Sequence, residues 1–169
     1  MSRRDFLVVG AAGVAGAVAA PCLSRNAAAA DAASPAKAAM AKEFPVVDVA
    51  PLAAIGPGAQ IAFNYPDADS PAVLVALPAP ATGGVGPNNR LVAFSILCTH
   101  KGCPVNYLAE RRMFVCPCHW SSFDPAKRGN MVIGQGSQPL PQIALRVKDG
   151  VVQAHGVDGL IYGRHTNIL

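Results

Sequence analysis

Between residues 98 and 119 the chain carries two short groups of metal-binding side chains. The first reads Cys98-Thr99-His100-Lys101-Gly102-Cys103; twelve residues on, the second reads Cys116-Pro117-Cys118-His119. A Cys-x-His pair answered by a Cys-x-x-His pair offers two thiolates and two imidazoles. That set suits a two-iron, two-sulfur cluster with cysteines on one iron and histidines on the other, a group that moves one electron at a time. A structural zinc ion also takes two Cys and two His, but its paired ligands usually stand about two to five residues apart. Cys98 and His100 are separated by one residue, which is awkward for chelating a single ion. Cys103 and Cys118 sit in the same two segments and are free to pair. The spacing therefore points to electron transfer.

Two such segments need a scaffold that presents them side by side. The chain has 169 residues, enough for one domain and a targeting segment. Apolar residues make up 51% of it, and 15 Pro and 16 Gly imply many turns and few long helices. Short runs rich in Val, Ile and Phe, bounded by Gly, Pro, Asn and Asp, predict strands over 44–49, 60–64, 72–77, 90–97, 113–115, 143–148, 151–154 and 160–162. Asp149-Gly150 between two of them predicts a tight hairpin. The Gly/Pro-rich stretch 78–89 predicts a loop. Nothing after residue 44 keeps a helical period. The expected fold is all-β, an antiparallel sandwich or small barrel, with the Cys/His loops inserted between two strands as a cluster-binding subdomain over 98–141.

The N-terminus reads Ser2-Arg3-Arg4-Asp5-Phe6-Leu7 and runs on through Ala, Gly and Val to Leu23. A twin-arginine pair before a weakly apolar stretch is the pattern of a Tat export signal. As a membrane span, 6–23 is marginal in length and interrupted by Pro21. Export predicts a signal over 1–30 with cleavage before Asp31, a linker over 31–43, a folded domain over 44–169, and a periplasmic location, with membrane association only through an uncleaved segment. Cluster assembly is cytoplasmic and Tat carries folded cargo, so signal and cluster support one another. Cleavage would remove three of the 14 basic and one of the 10 acidic residues, leaving 11 and 9, net +2. That charge argues against a nucleic-acid partner. It would also remove Cys22, leaving four cysteines, an even number compatible with one disulfide in an exported protein.

The two groups resemble those of the Rieske iron–sulfur family. Carried over residue by residue, the resemblance implies that Cys98 and Cys116 bind one iron and His100 and His119 the other. It implies a disulfide between Cys103 and Cys118, a feature of the high-potential branch. Ser121 matches a serine whose hydroxyl bonds a bridging sulfide. Phe123 stands where Rieske proteins of cytochrome bc complexes carry a Tyr that bonds a ligand sulfur, which implies a lower potential here. The segment 136–141, with Pro139, matches a proline-containing loop that covers the cluster. Trp120, next to a ligand, is expected to pack on the cluster loop, and His155 and His165 receive no role.

Within that family, residues 98–112, 116–124 and 134–141 are similar to the small subunit of arsenite oxidase. This implies a one-electron relay that performs no substrate catalysis itself. It would lie between a large molybdopterin subunit and a periplasmic cytochrome c or copper protein. The alternative is a Rieske subunit of a cytochrome bc complex. Those proteins usually place a hydrophobic residue where this chain has Lys101.

Overall fold

The computed structural model describes residues 43–168. The expected signal over 1–30, Cys22 and the linker up to residue 42 lie outside the described residues. The described chain forms ten strands: β1 Val47–Pro51, β2 Gln60–Asn64, β3 Pro71–Ala76, β4 Leu91–Ser95, β5 Asn106–Leu108, β6 Met113–Val115, β7 Ser122–Asp124, β8 Asn130–Ile133, β9 Gln142–Lys148 and β10 Val151–Asp158. Its only helical pieces are single 3-10 turns, at Leu52–Ala54, Pro87–Asn89 and Pro125–Lys127. No helix among the described residues is long and apolar enough to cross a membrane.

Two antiparallel sheets result. The larger runs β1-β10-β9-β4-β3-β2 and the smaller β5-β6-β7-β8. The smaller is inserted between β4 and β9, which are themselves paired through Ala93 with Ile143 and Phe94 with Gln142. The insertion lies between two strands, as the sequence predicts, and the structure adds that these strands are neighbours in the base.

β4 explains how the two parts adhere. Every residue of Leu91–Ser95 is buried. Leu91 and Ala93 join the core of the base, with Leu74, Ile143 and Val152. Val92 and Phe94 turn to the other face and join Phe114, Phe123, Cys98 and Cys116. Side chains alternate along a strand, so one continuous apolar run serves two cores. Phe94 meets Phe114 edge-on, with ring centroids 5.5 Å apart, and Tyr107 also packs on Phe114, at 5.4 Å. An Arg128–Asp158 ion pair links the insertion to β10.

The structure corrects the sequence expectations in three places. Residues 160–162 form no strand: Gly159 and Gly163 break the chain on either side with positive φ, and no neighbouring strand pairs with them. β5, β7 and β8 are real but too short, at three or four residues, to leave a readable period. β10 continues past Ala154 to Asp158 because a register shift between Ala154 and Gly156 absorbs the break in pattern and leaves His155 exposed. The hairpin at Asp149-Gly150 forms as expected, with φ of 50° and 75° at the two turn residues, the left-handed pair that matches strand twist.

Phe114 is wholly buried at the junction of insertion and base. Truncating a buried Phe costs about 3–5 kcal/mol. Phe114→Ala should lower the unfolding free energy by that amount in a urea titration followed by circular dichroism.

Candidate metal centre

Each metal-binding loop begins with a cysteine at the mouth of a strand and carries its histidine out to the tip. Cys116 directly follows β6 and Cys98 lies three residues beyond β4. Both thiols are buried against the aromatic core. His100 is half-buried and His119 exposed, with ring centroids 4.6 Å apart. The structure therefore brings together all four residues singled out in the sequence, sulfurs inward and imidazoles outward.

The loops share one backbone plan. The Cys98 carbonyl accepts from Gly102 N–H at 2.8 Å, and Cys98 N–H donates to the Cys103 carbonyl at 2.9 Å. In the second loop the Cys116 carbonyl accepts from Trp120 N–H at 3.0 Å, and Cys116 N–H donates to the Ser121 carbonyl at 2.9 Å. The fourth residue after each cysteine is left-handed, Gly102 at φ 74° and Trp120 at φ 63°. That conformation costs a residue with a side chain roughly 1–2 kcal/mol. Trp120 does not pack on the cluster loop as expected; its side chain stands in solvent.

A disulfide joins Cys103 to Cys118 and locks the loops face to face. By loop length, 15 residues, such a bridge stabilises by about 3 kcal/mol. The Cys116 sulfur lies within 4.8 Å of both bridged sulfurs, but these are already bonded to each other, so Cys116 is the one free ligand of that trio.

Burial holds the Cys98 thiol above its ordinary pKa; the backbone N–H groups of His100 and Lys101 oppose this, and the adjacent Cys116 sulfur reinforces it. Two neighbouring buried thiolates are stable only with positive charge between them. His100 Nδ1 is buried without a hydrogen-bond partner, a costly state for a ring nitrogen unless a metal takes its lone pair. The donor set and the orphaned nitrogen both fit an iron–sulfur cluster.

Two further segments close the site. Ser121 is buried, and its hydroxyl oxygen accepts from Gln135 N–H at 3.0 Å, leaving its proton to donate elsewhere. Gly134 rests directly on Ser121: a Cβ there would stand 2.3 Å from Ser121 Cα. Phe123 is buried in the same core as both free cysteines. The 136–141 loop is fastened to the first loop by Thr99, which donates to the Gln138 carbonyl at 2.8 Å and accepts from Ser137 Oγ at 2.9 Å. Pro139 itself is exposed, so Ser137 and Gln138 make the attachment. Thr99 carries no sequence signal beyond standing between two ligands.

With this geometry in place, comparison with known proteins is decisive. The Rieske 2Fe–2S domain profile matches residues 58–144. This chain belongs to the Rieske family. A protein named iodate reductase subunit IdrB from Denitromonas iodatirespirans is 38% identical over 170 residues, covering 99% of this chain and 86% of that one. A second protein of that name, from Pseudomonas sp., is 40% identical over 66% of this chain and 60% of its own length. A cytochrome bc1 complex Rieske subunit of Streptomyces lividans is 40% identical, over only 39% of this chain and 40% of its own. In three dimensions the soluble domain of Rieske protein II from Sulfolobus acidocaldarius superposes with a TM-score of 0.61 at 26% identity, covering 72% of this chain and 82% of that one. The cofactor of the Rieske domain is its 2Fe–2S cluster, which supplies reversible one-electron transfer.

The C-terminal tail braces this Rieske centre, and nothing in the sequence signalled it. Ile161 is buried, and the Leu160 carbonyl accepts from Gln138 Nε2 at 2.6 Å. The Tyr162 ring covers Gly102 so closely that a Cβ there would lie 2.6 Å from it. Arg164 clamps Asp67 with two hydrogen bonds of 2.6 and 2.7 Å. The Arg164 guanidinium holds the Asp67 carboxyl below its ordinary pKa. A carboxylate depressed in the folded state contributes stability above its unfolded pKa and loses it as pH falls through the folded value. Amide protection of the 160–168 tail should therefore fall as pH drops below about 4. Asp67→Asn should show that low protection already at neutral pH, as measured by hydrogen exchange.

Proposed function

We propose that this chain is the electron-relay subunit of a two-component oxidoreductase of the iodate reductase kind. It would pass single electrons between a large molybdopterin subunit and a cytochrome c or copper protein in the periplasm. The observation that carries this is the 38% identity along nearly the whole chain to a protein named as an iodate reductase subunit. The inward thiols and outward imidazoles support a relay: the Cys-bound iron would be insulated and the His-bound iron would stand at the surface.

In this assignment Cys98 and Cys116 hold one iron, and His100 and His119 the other. The Cys103–Cys118 bridge keeps the two loops facing. The chain contributes positioning and electrostatics, and substrate chemistry belongs to the partner. Export through the twin-arginine signal accounts for a folded, loaded domain outside the cytoplasm.

Arsenite oxidase is the second reading, favoured by the similarity over 98–112, 116–124 and 134–141. Iodate reduction draws electrons toward the large subunit; arsenite oxidation sends them away. The complex purified with its partner separates these. Iodate should reoxidise the reduced cluster, seen as loss of its EPR signal. Reduction of the oxidised cluster by arsenite would favour the second reading. Response to neither, with reduction by quinol in a haem-bearing complex, would overturn both in favour of a bc-type subunit.

Second-sphere hydrogen bonds tune such clusters. One to a charged group is worth roughly 1.5–3 kcal/mol, on the order of 65–130 mV for one electron. Ser121→Ala should lower the midpoint potential by up to that amount, and Phe123→Tyr should raise it, as read by protein-film voltammetry.

A further inference from the structure

Three sulfurs crowd together where the two loops meet. Those of Cys103, Cys116 and Cys118 all lie within 4.8 Å of one another. Two of them are joined, as the Cys103–Cys118 bridge. The third, on Cys116, belongs to a free thiol. A thiol held beside a disulfide is the arrangement from which exchange starts, because the sulfur attacks the bridge directly and needs no outside oxidant.

The fold keeps the three in place. Cys116 is fastened by backbone hydrogen bonds to Trp120 and Ser121, and Cys103 by the bond from Cys98 N–H to its carbonyl. Groups held side by side react by orientation, without regard to concentration. Their surroundings differ, and the difference gives the reaction a direction. Cys116 is buried, Cys103 half-buried and Cys118 exposed. Attack on Cys103 expels the Cys118 sulfur, whose negative charge water can solvate. Attack on Cys118 would instead join residues two apart and leave that charge on the half-buried Cys103, where desolvation opposes it.

We propose that, in the chain without its cluster, Cys116 opens the Cys103–Cys118 bridge and moves it to Cys103–Cys116, and that the native pairing lasts only while Cys116 is engaged as an iron ligand. The step balances within the chain. The Cys116 thiol gives its proton to water and its sulfur bonds Cys103. The Cys103–Cys118 bond breaks with its electron pair on Cys118, which takes up a proton. One S–S bond forms and one breaks, so nothing is oxidised or reduced overall. The inference rests on the assignment of Cys116 to iron. It makes the empty domain self-blocking: the moved bridge consumes a ligand, so loading has to precede formation of the bridge.

The test compares the full chain loaded and stripped of iron by a chelator, with no oxidant added. Free thiols are alkylated and the bridges mapped by mass spectrometry. In the stripped chain Cys103–Cys116 should replace Cys103–Cys118 as the main bridge, with Cys118 newly alkylated and a rate independent of protein concentration. The loaded chain should keep Cys103–Cys118. A stripped chain left to exchange should regain several-fold less of the cluster's EPR signal on reconstitution than one reconstituted at once, and a dithiol reductant should restore the difference. Cys98→Ser leaves the three sulfurs intact and should exchange as purified, whereas Cys116→Ser should hold the native bridge. A stripped chain that retains Cys103–Cys118, or that pairs Cys98 with Cys116, would overturn the exchange and leave the ligand assignment standing. A loaded chain whose Cys116 is alkylated or exchanged would remove the ligand assignment, and the protection with it.

Discussion

Two buried thiolates cannot share a pocket unless a cation lies between them. Cys98 and Cys116 are placed in that situation by the ends of β4 and β6, sealed against Phe94, Phe114 and Phe123. Burial raises the Cys98 thiol above its ordinary pKa, and the neighbouring Cys116 sulfur adds to that rise. An iron held by both sulfurs would supply the missing charge, and the same burial would insulate the inner half of a cluster. The orphaned Nδ1 of His100 expresses the same demand on the outer half.

Everything around the loops serves to keep that arrangement from relaxing. Loops tend to be mobile because few apolar contacts hold them, and these are held by other means. Each is closed on itself by two backbone hydrogen bonds, and the two are bridged by Cys103–Cys118. Thr99 ties the first loop to the 136–141 segment through two hydrogen bonds, and Gln138 in turn holds the tail that lays Tyr162 over Gly102. The chain of attachments ends on the Asp67–Arg164 clamp, in the base of the molecule. The cluster site is thus fixed from its core side by aromatic packing and from its flanks by hydrogen bonds drawn from three distant stretches of sequence.

Rigidity of this kind suits a relay. A group that only exchanges electrons needs little reorganisation and no substrate cavity. A cavity of about 270 Å³ is lined by Leu77, Arg111, Met113 and Asp124, away from the metal-binding loops. What the relay does need is one exposed edge and a way of recognising its neighbours. His119 and Trp120 are both exposed at the tip of the second loop.

The gathering of Cys98, Cys116, His100 and His119, the all-β class and the insertion between two strands were legible in the sequence, because metal chemistry constrains residue type and spacing and strand patterning constrains local backbone. The placement of Ser121 and Phe123 next to the cysteines was legible as well, since they follow His119 at short fixed distances in one segment. The short strands β5, β7 and β8 were not, because three or four residues carry no periodic signal. Nor was the tail: Tyr162 and Arg164 are ordinary side chains until the fold carries them to Gly102, 60 residues away, and to Asp67, 97 residues away. The strain at Trp120 is visible only when the backbone of its loop is laid beside that of the first. The sequence by itself determined which atoms can bind iron and roughly what local structure carries them, since both are set by neighbouring residues. Only the tertiary structure decided which ligands are buried, what braces them and which face is left bare, because burial and long-range contact belong to the folded chain as a whole.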